Sequence, residues 1–87
     1  MEKTIFCHEY SELRKWLISM RHQKKLTQRD VGQLLGIPHS WVGKVEQGER
    51  RLDLVEYVRL CKALNIDPHE GLSVVTMSMK ECNQNCS

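Results

Sequence analysis

The chain has 87 residues, of which 40% are hydrophobic and 28% charged, with a formal net charge of +2. That length suits one domain with a modest core, and the composition excludes a collagen, a low-complexity linker or a disordered tract. No apolar run reaches the ~18–20 residues that span a bilayer, and the start Met1-Glu2-Lys3-Thr4-Ile5-Phe6-Cys7 lacks the apolar stretch of a secretory signal, so a cytoplasmic protein without a membrane partner is expected.

Charge is unevenly placed. Residues 21–51 hold seven bases (Arg21, Lys24, Lys25, Arg29, Lys44, Arg50, Arg51) against three acids (Asp30, Glu46, Glu49), whereas the remainder is mildly acidic. A local basic surface suits a polyanionic partner, although a swing of this size also arises by chance.

In chain order, Tyr10, Leu13, Leu17 and Met20 recur at helical spacing, with Trp16 flanking, and predict a first helix over about 8–24. Glu9, Glu12, Arg14 and Lys15 fall on its other, solvent-facing side. Thr27-Gln28-Arg29-Asp30 is a helix start. The Thr27 hydroxyl can accept an unpaired backbone N–H, and Asp30 sits where the helix dipole favours an anion. This second helix covers about 28–35, buries Val31, Leu34 and Leu35, and stops at Gly36, a residue that tolerates the left-handed conformation.

Pro38 is placed in the first turn of a third helix, where its missing N–H is not needed. That helix should reach Gln47 and stop at Gly48. Asp53-Leu54-Val55-Glu56 is a capping box for a fourth helix that buries Val55, Val58, Leu60, Cys61 and Leu64. Asp67-Pro68-His69-Glu70 repeats the device for a short fifth helix through Leu72, Val74 and Val75. From Ser78 onward the polar chain is expected to fray. The best strand candidate, residues 4–7, is too short to build a sheet. The expected architecture is all-α, with five helices. Residues 1–8 form an N-terminal extension, residues 9–76 the domain and residues 77–87 a polar tail.

The second and third predicted helices are separated by only a few residues around Gly36, which suits a steep helix crossing. On the third helix, at about 100° per residue, His39, Ser40, Gly43, Lys44 and Gln47 cluster on one side and Trp41, Val42 and Val45 on the other. A helix with one buried face and one hydrogen-bonding face is the kind of element that fits the major groove of DNA.

Residues 24–66 resemble the Cro/Xre-type helix-turn-helix of phage repressors. The resemblance rests on L-T-Q-R-D-V-G-Q-L-L-G-I-P-H-S-W-V-G-K-V-E-Q-G-E-R-R-L-D, with its T-Q start, L-G turn, S-x-V-x-K-x-E-x-G-E-R-R core and following L-D-x-x-E in order. It implies a compact five-helix, phage-repressor-like domain, a sequence-specific regulator that binds double-stranded operator DNA as a homodimer. Position by position, it implies that Gln28 holds a phosphate or a base edge, that His39, Ser40 and Lys44 point into the groove, and that Arg50 and Arg51 touch the backbone. It also implies an internal salt bridge between Arg21 and Glu46. The chain departs from the family at Gly32, where Ala is usual, at Gly43, which offers no side-chain contact, and at Pro38, which replaces a capping Ser or Thr.

Several positions carry a second, structural reading. Lys44 is a groove contact or a solvated lysine, and Gln28 is a DNA contact or a capping side chain. One of Arg50 and Arg51 can pair with Glu49 or Asp53, and Trp41 suits core packing better than a thymine-methyl contact. Cys61 reads as a small buried hydrophobe. Cys82 and Cys86 lack a second pair at zinc spacing, so no metal, disulfide or cofactor is expected, and the role of Cys7 stays open. No nucleophile motif or convergent set of titratable residues suggests an enzyme, and no small-molecule ligand is expected. The rival reading is an antitoxin-type protein that neutralises a partner and binds DNA secondarily.

Overall fold

Helix α1 spans His8–Gln23. Its Tyr10 and Leu17 are buried, and Leu13 and Trp16 pack at the edge of the core, which is the stripe that the periodicity marks. The chain leaves α1 through Lys25 at φ 60°, a left-handed conformation that is costly for a side chain with a Cβ. The computed structural model describes residues 7–82. The strand candidate at residues 4–7 and Cys86 therefore lie wholly or mostly outside the described residues.

Helix α2, Gln28–Leu35, starts on a complete capping box. The Asp30 N–H donates to Thr27 Oγ1 at 3.0 Å, and the Thr27 N–H donates to Asp30 Oδ2 at 2.8 Å. The Thr27 N–H, with the Thr27 hydroxyl as the smaller contributor, holds the Asp30 carboxyl below its ordinary range. Gly36 closes α2 in the left-handed region at φ 73°. Val31 is fully buried, but Leu34 is exposed, contrary to its expected place in the buried stripe.

Helix α3 spans His39–Gln47. Pro38 stands one residue outside it, as an N-cap with ψ 144°, and not in the first turn. An extended residue there turns the chain sharply into α3, and the missing N–H costs nothing. Gly32 makes the close crossing possible. A Cβ on it would lie 2.9 Å from the Ile37 carbonyl oxygen and 3.1 Å from the His39 Cα, so bulk at this point would push the two helices apart.

Helix α4, Leu54–Leu64, opens on the Asp53–Glu56 capping box and ends at Asn65 in the left-handed region. Its buried stripe is Tyr57, Leu60, Cys61 and Leu64. Val55 is 59% exposed, because residues 57, 60, 61 and 64 already complete one helical face. Helix α5, Pro68–Cys82, is longer than expected. Asp67 caps it through Oδ1, which accepts the His69 N–H at 2.9 Å. Ser78 does not fray. It is buried, and its hydroxyl donates to the Val74 carbonyl at 2.8 Å, which satisfies the polar group inside the packed face. The expected tail thus begins as helix at residues 77–82.

The core joins Leu17, Val31, Val42, Tyr57, Leu60, Cys61 and Leu64 from α1 to α4. Helix α5 packs on α1 and α4, and α2 packs on α3 and α4. No helix among the described residues is long and apolar enough to cross a membrane.

Candidate nucleic-acid interface

Val42 and Val45 bury one side of α3, leaving His39, Ser40, Lys44 and Gln47 on the other, where all four are exposed. Trp41 lies between, half-buried against the core. The outward row is hydrogen-bonding or basic, and α2 braces the helix from behind.

Two arginines of α1 hold the C-terminal half of α3. Arg21 and Glu46 form a bidentate pair, Nε to Oε2 at 2.6 Å and Nη2 to Oε1 at 2.9 Å, with side chains only 11% and 12% exposed. Arg21 Nη1 also donates to the Leu26 carbonyl at 2.8 Å. Arg14, seven residues earlier, donates from Nη1 to the Glu46 carbonyl at 2.6 Å. Its guanidinium lies against Gly48, where a Cβ would come within 3.2 Å of Cζ. A cation at a helix C-terminus complements both the unpaired carbonyls and the dipole. The helical periodicity puts Arg14 on the solvent side of α1. The structure turns it to α3 instead, and the seven-residue spacing to Arg21, two helical turns on one face, is the signal that marks it.

Gln28 is half-buried beside α3, where its Nε2 donates to Glu46 Oε1 at 2.9 Å. The loop after α3 is pinned by Tyr10. Its hydroxyl donates to the Arg50 carbonyl at 3.3 Å and accepts the Leu52 N–H at 3.1 Å. Arg50 and Arg51 diverge from that loop. The Arg50 guanidinium lies 5.5 Å from the Trp41 ring centroid and pairs with Glu56, not with Glu49 or Asp53. Arg51 lies 4.9 Å from the Tyr10 ring centroid. The structure thus groups His39, Ser40, Lys44 and Gln28 around α3 and sends the two arginines to different neighbours.

Cys7 and Cys61 are free thiols, and burial pushes the Cys61 thiol up from its ordinary range. Among the described residues, no three His, Cys, Asp or Glu side chains form a metal-sized group.

Two short helices joined by a glycine turn, the second with one face buried and one polar face outward, define a helix-turn-helix unit. Residues 12–71 match the family model of a helix-turn-helix domain. Among solved structures, an XRE-family like protein from Pseudomonas syringae pv. tomato str. DC3000 is 35% identical, with a TM-score of 0.76 over 79% of this chain and 84% of that one. The restriction-modification controller protein C.AhdI from Aeromonas hydrophila is 34% identical, with a TM-score of 0.68 over 75% of this chain and 98% of that one. No curated protein matched the sequence. The chain belongs to the Cro/Xre-type helix-turn-helix family, and it is a DNA-binding transcriptional regulator of that fold.

Proposed function

We propose that this regulator is a sequence-specific repressor, acting without catalysis on the nucleoid in the cytoplasm, that binds a pseudo-palindromic operator as a homodimer. The observation that carries the reading is the state of α3. Its hydrogen-bonding side faces outward, while Val42, Val45 and the Arg14–Arg21–Glu46 contacts fix it from behind. A rigid helix of this kind presents His39, Ser40 and Lys44 to base edges without reordering the domain. Gln28 flanks the groove-facing side. Arg50 and Arg51 serve the phosphates at its edge, Arg50 by exchanging Glu56 for a phosphate oxygen. The controller neighbour supports a regulatory role of this type.

The second copy would dock on α5, whose Leu72, Val74, Val75 and Met77 exceed the apolar content that a terminal helix needs. Leu72, Met77 and Met79 are large and exposed. Beside them Tyr10, Leu13, Leu54 and Val75 help line a groove of about 310 Å³. Two copies joined there would place their α3 helices in successive major grooves, roughly 34 Å apart.

The test is a salt titration of binding to an operator duplex. Replacing both Lys44 and Arg50 by Ala should weaken binding and flatten the dependence of log K on log salt, by about 0.9 for each phosphate that is no longer neutralised. An unchanged affinity and slope would remove this mode of docking.

A further inference from the structure

The outward side of α3 has a gap at Gly43, and another residue fills it. A Cβ built on Gly43 would lie 3.2 Å from Gln28 Oε1 and 3.9 Å from Gln28 Cδ. The amide of Gln28, reaching over from α2, thus occupies the space that a side chain at position 43 would take.

The orientation of that amide follows from its partner. Nε2 donates to Glu46 Oε1 at 2.9 Å, and an ionised carboxylate only accepts. The nitrogen must therefore face Glu46, and the oxygen must lie over Gly43. Glu46 cannot turn away, because Arg21 grips its carboxylate at both oxygens and Arg14 holds its main-chain carbonyl. With one N–H given to Glu46, the amide retains a carbonyl acceptor and a second N–H side by side. A phosphate offers only acceptors and would leave Oε1 unpaired in the interface. Adenine offers an amino donor at N6 next to an acceptor at N7 on its major-groove edge, and takes both.

We propose that Gln28 is a base-reading residue that supplies from α2 the side chain α3 lacks at Gly43, that the base it reads is adenine, and that Glu46 is the positioning residue that sets its amide. This rests on the operator-binding reading above. It separates Gln28 from the phosphate contacts and explains why a recognition helix with glycine at its centre can still discriminate sequence there.

The experiment starts from the duplex that the unaltered protein recovers from a random DNA pool. Affinities are then measured for that duplex and for every single base-pair change, with the unaltered chain, Gln28→Ala, Gly43→Ala, the double variant and Glu46→Gln. Thermal unfolding of each variant is followed in parallel. Gln28→Ala should erase an A·T preference of about tenfold or more at one position of each half-site and leave the other preferences in place. Gly43→Ala, which crowds the amide, should erase the same preference, and the double variant should be no worse than either single one. Glu46→Gln, which offers both donor and acceptor to the amide, should blur that same position, together with a lower unfolding midpoint from the Arg21 charge left without its counter-ion. Base preferences intact in folded Gln28→Ala, or a loss spread evenly over all base changes, would overturn the proposal. Recovery of no common sequence by the unaltered protein is a different result and would overturn the operator-binding reading itself.

Discussion

Gly71 shows how much of this fold depends on single atoms. A Cβ there would fall 2.2 Å from the Tyr57 hydroxyl, 2.7 Å from the Trp16 ring and 3.1 Å from Leu13 Cδ1. Gly71→Ala should therefore destabilise the protein by about 1–3 kcal/mol, the usual cost of overpacking, as read from urea unfolding. Lys25 is the opposite case. It adopts φ 60° with a Cβ, and Asn tolerates that region better, so Lys25→Asn should raise stability by roughly 0.5 kcal/mol. Three groups give a pH signature, Asp30, Tyr57 and the likewise buried Cys61 thiol. Burial, with the neighbouring Cys61 thiol adding to it, raises the Tyr57 phenol well above its ordinary value of 10.0. The folded state then holds a proton that the unfolded chain releases, so this contribution is intact below about pH 10 and is lost as pH rises beyond it. Asp30 has the reverse sign. Its contribution is present above the ordinary value of 3.8 and is lost as pH falls through the depressed folded value. Unfolding midpoints against pH should lose part of their alkaline fall in Tyr57→Phe and part of their acid fall in Asp30→Asn.

Among the helices, α3 is held more firmly than its nine residues would manage alone, since short helices depend on tertiary packing. The Arg21–Glu46 pair is nearly enclosed, so removing one partner strands a desolvated charge. Arg21→Met should cost about 3–5 kcal/mol, whereas Arg21→Met combined with Glu46→Leu should recover much of that loss. Equal losses for the single and the double variant in chemical denaturation would show that the charge is not stranded. The helix starts and stops are legible in the sequence because caps are local chemistry. Thr27 with Asp30, Asp53 with Glu56, and the left-handed glycines Gly36 and Gly48 all act within a few residues of themselves. What the sequence hides is set by the neighbour across the gap. Arg14 reads as solvated because its partner is a carbonyl 32 residues away. In the sequence, Glu49 and Asp53 are the acids that one of Arg50 and Arg51 could pair with, whereas Arg50 reaches Glu56 and Trp41. Val55 fits the apolar pattern of α4, but the inward place belongs to Tyr57, whose hydroxyl finds the Pro68 carbonyl. The end of α5 reads as a frayed tail, although Ser78 satisfies its own hydroxyl on the helix backbone.

On the proposed reading, two surfaces of the protein divide the work. One would be α3, and the other the apolar side of α5 with Leu72, which is 46% exposed. Leu72→Glu should move the protein toward monomer in sedimentation at micromolar concentration and weaken operator binding, because a single half-site loses the benefit of linkage. A variant that stays dimeric would place the dimer surface elsewhere. Whether His39, Ser40 and Lys44 on α3 read the DNA is decided by selecting bound sequences from a random duplex pool, with the unaltered chain and with the three residues replaced together by Ala. The unaltered protein should yield a two-fold symmetric site, and a variant that still folds should yield no common sequence. Recovery of the same symmetric site by both proteins would mean that other residues do the reading.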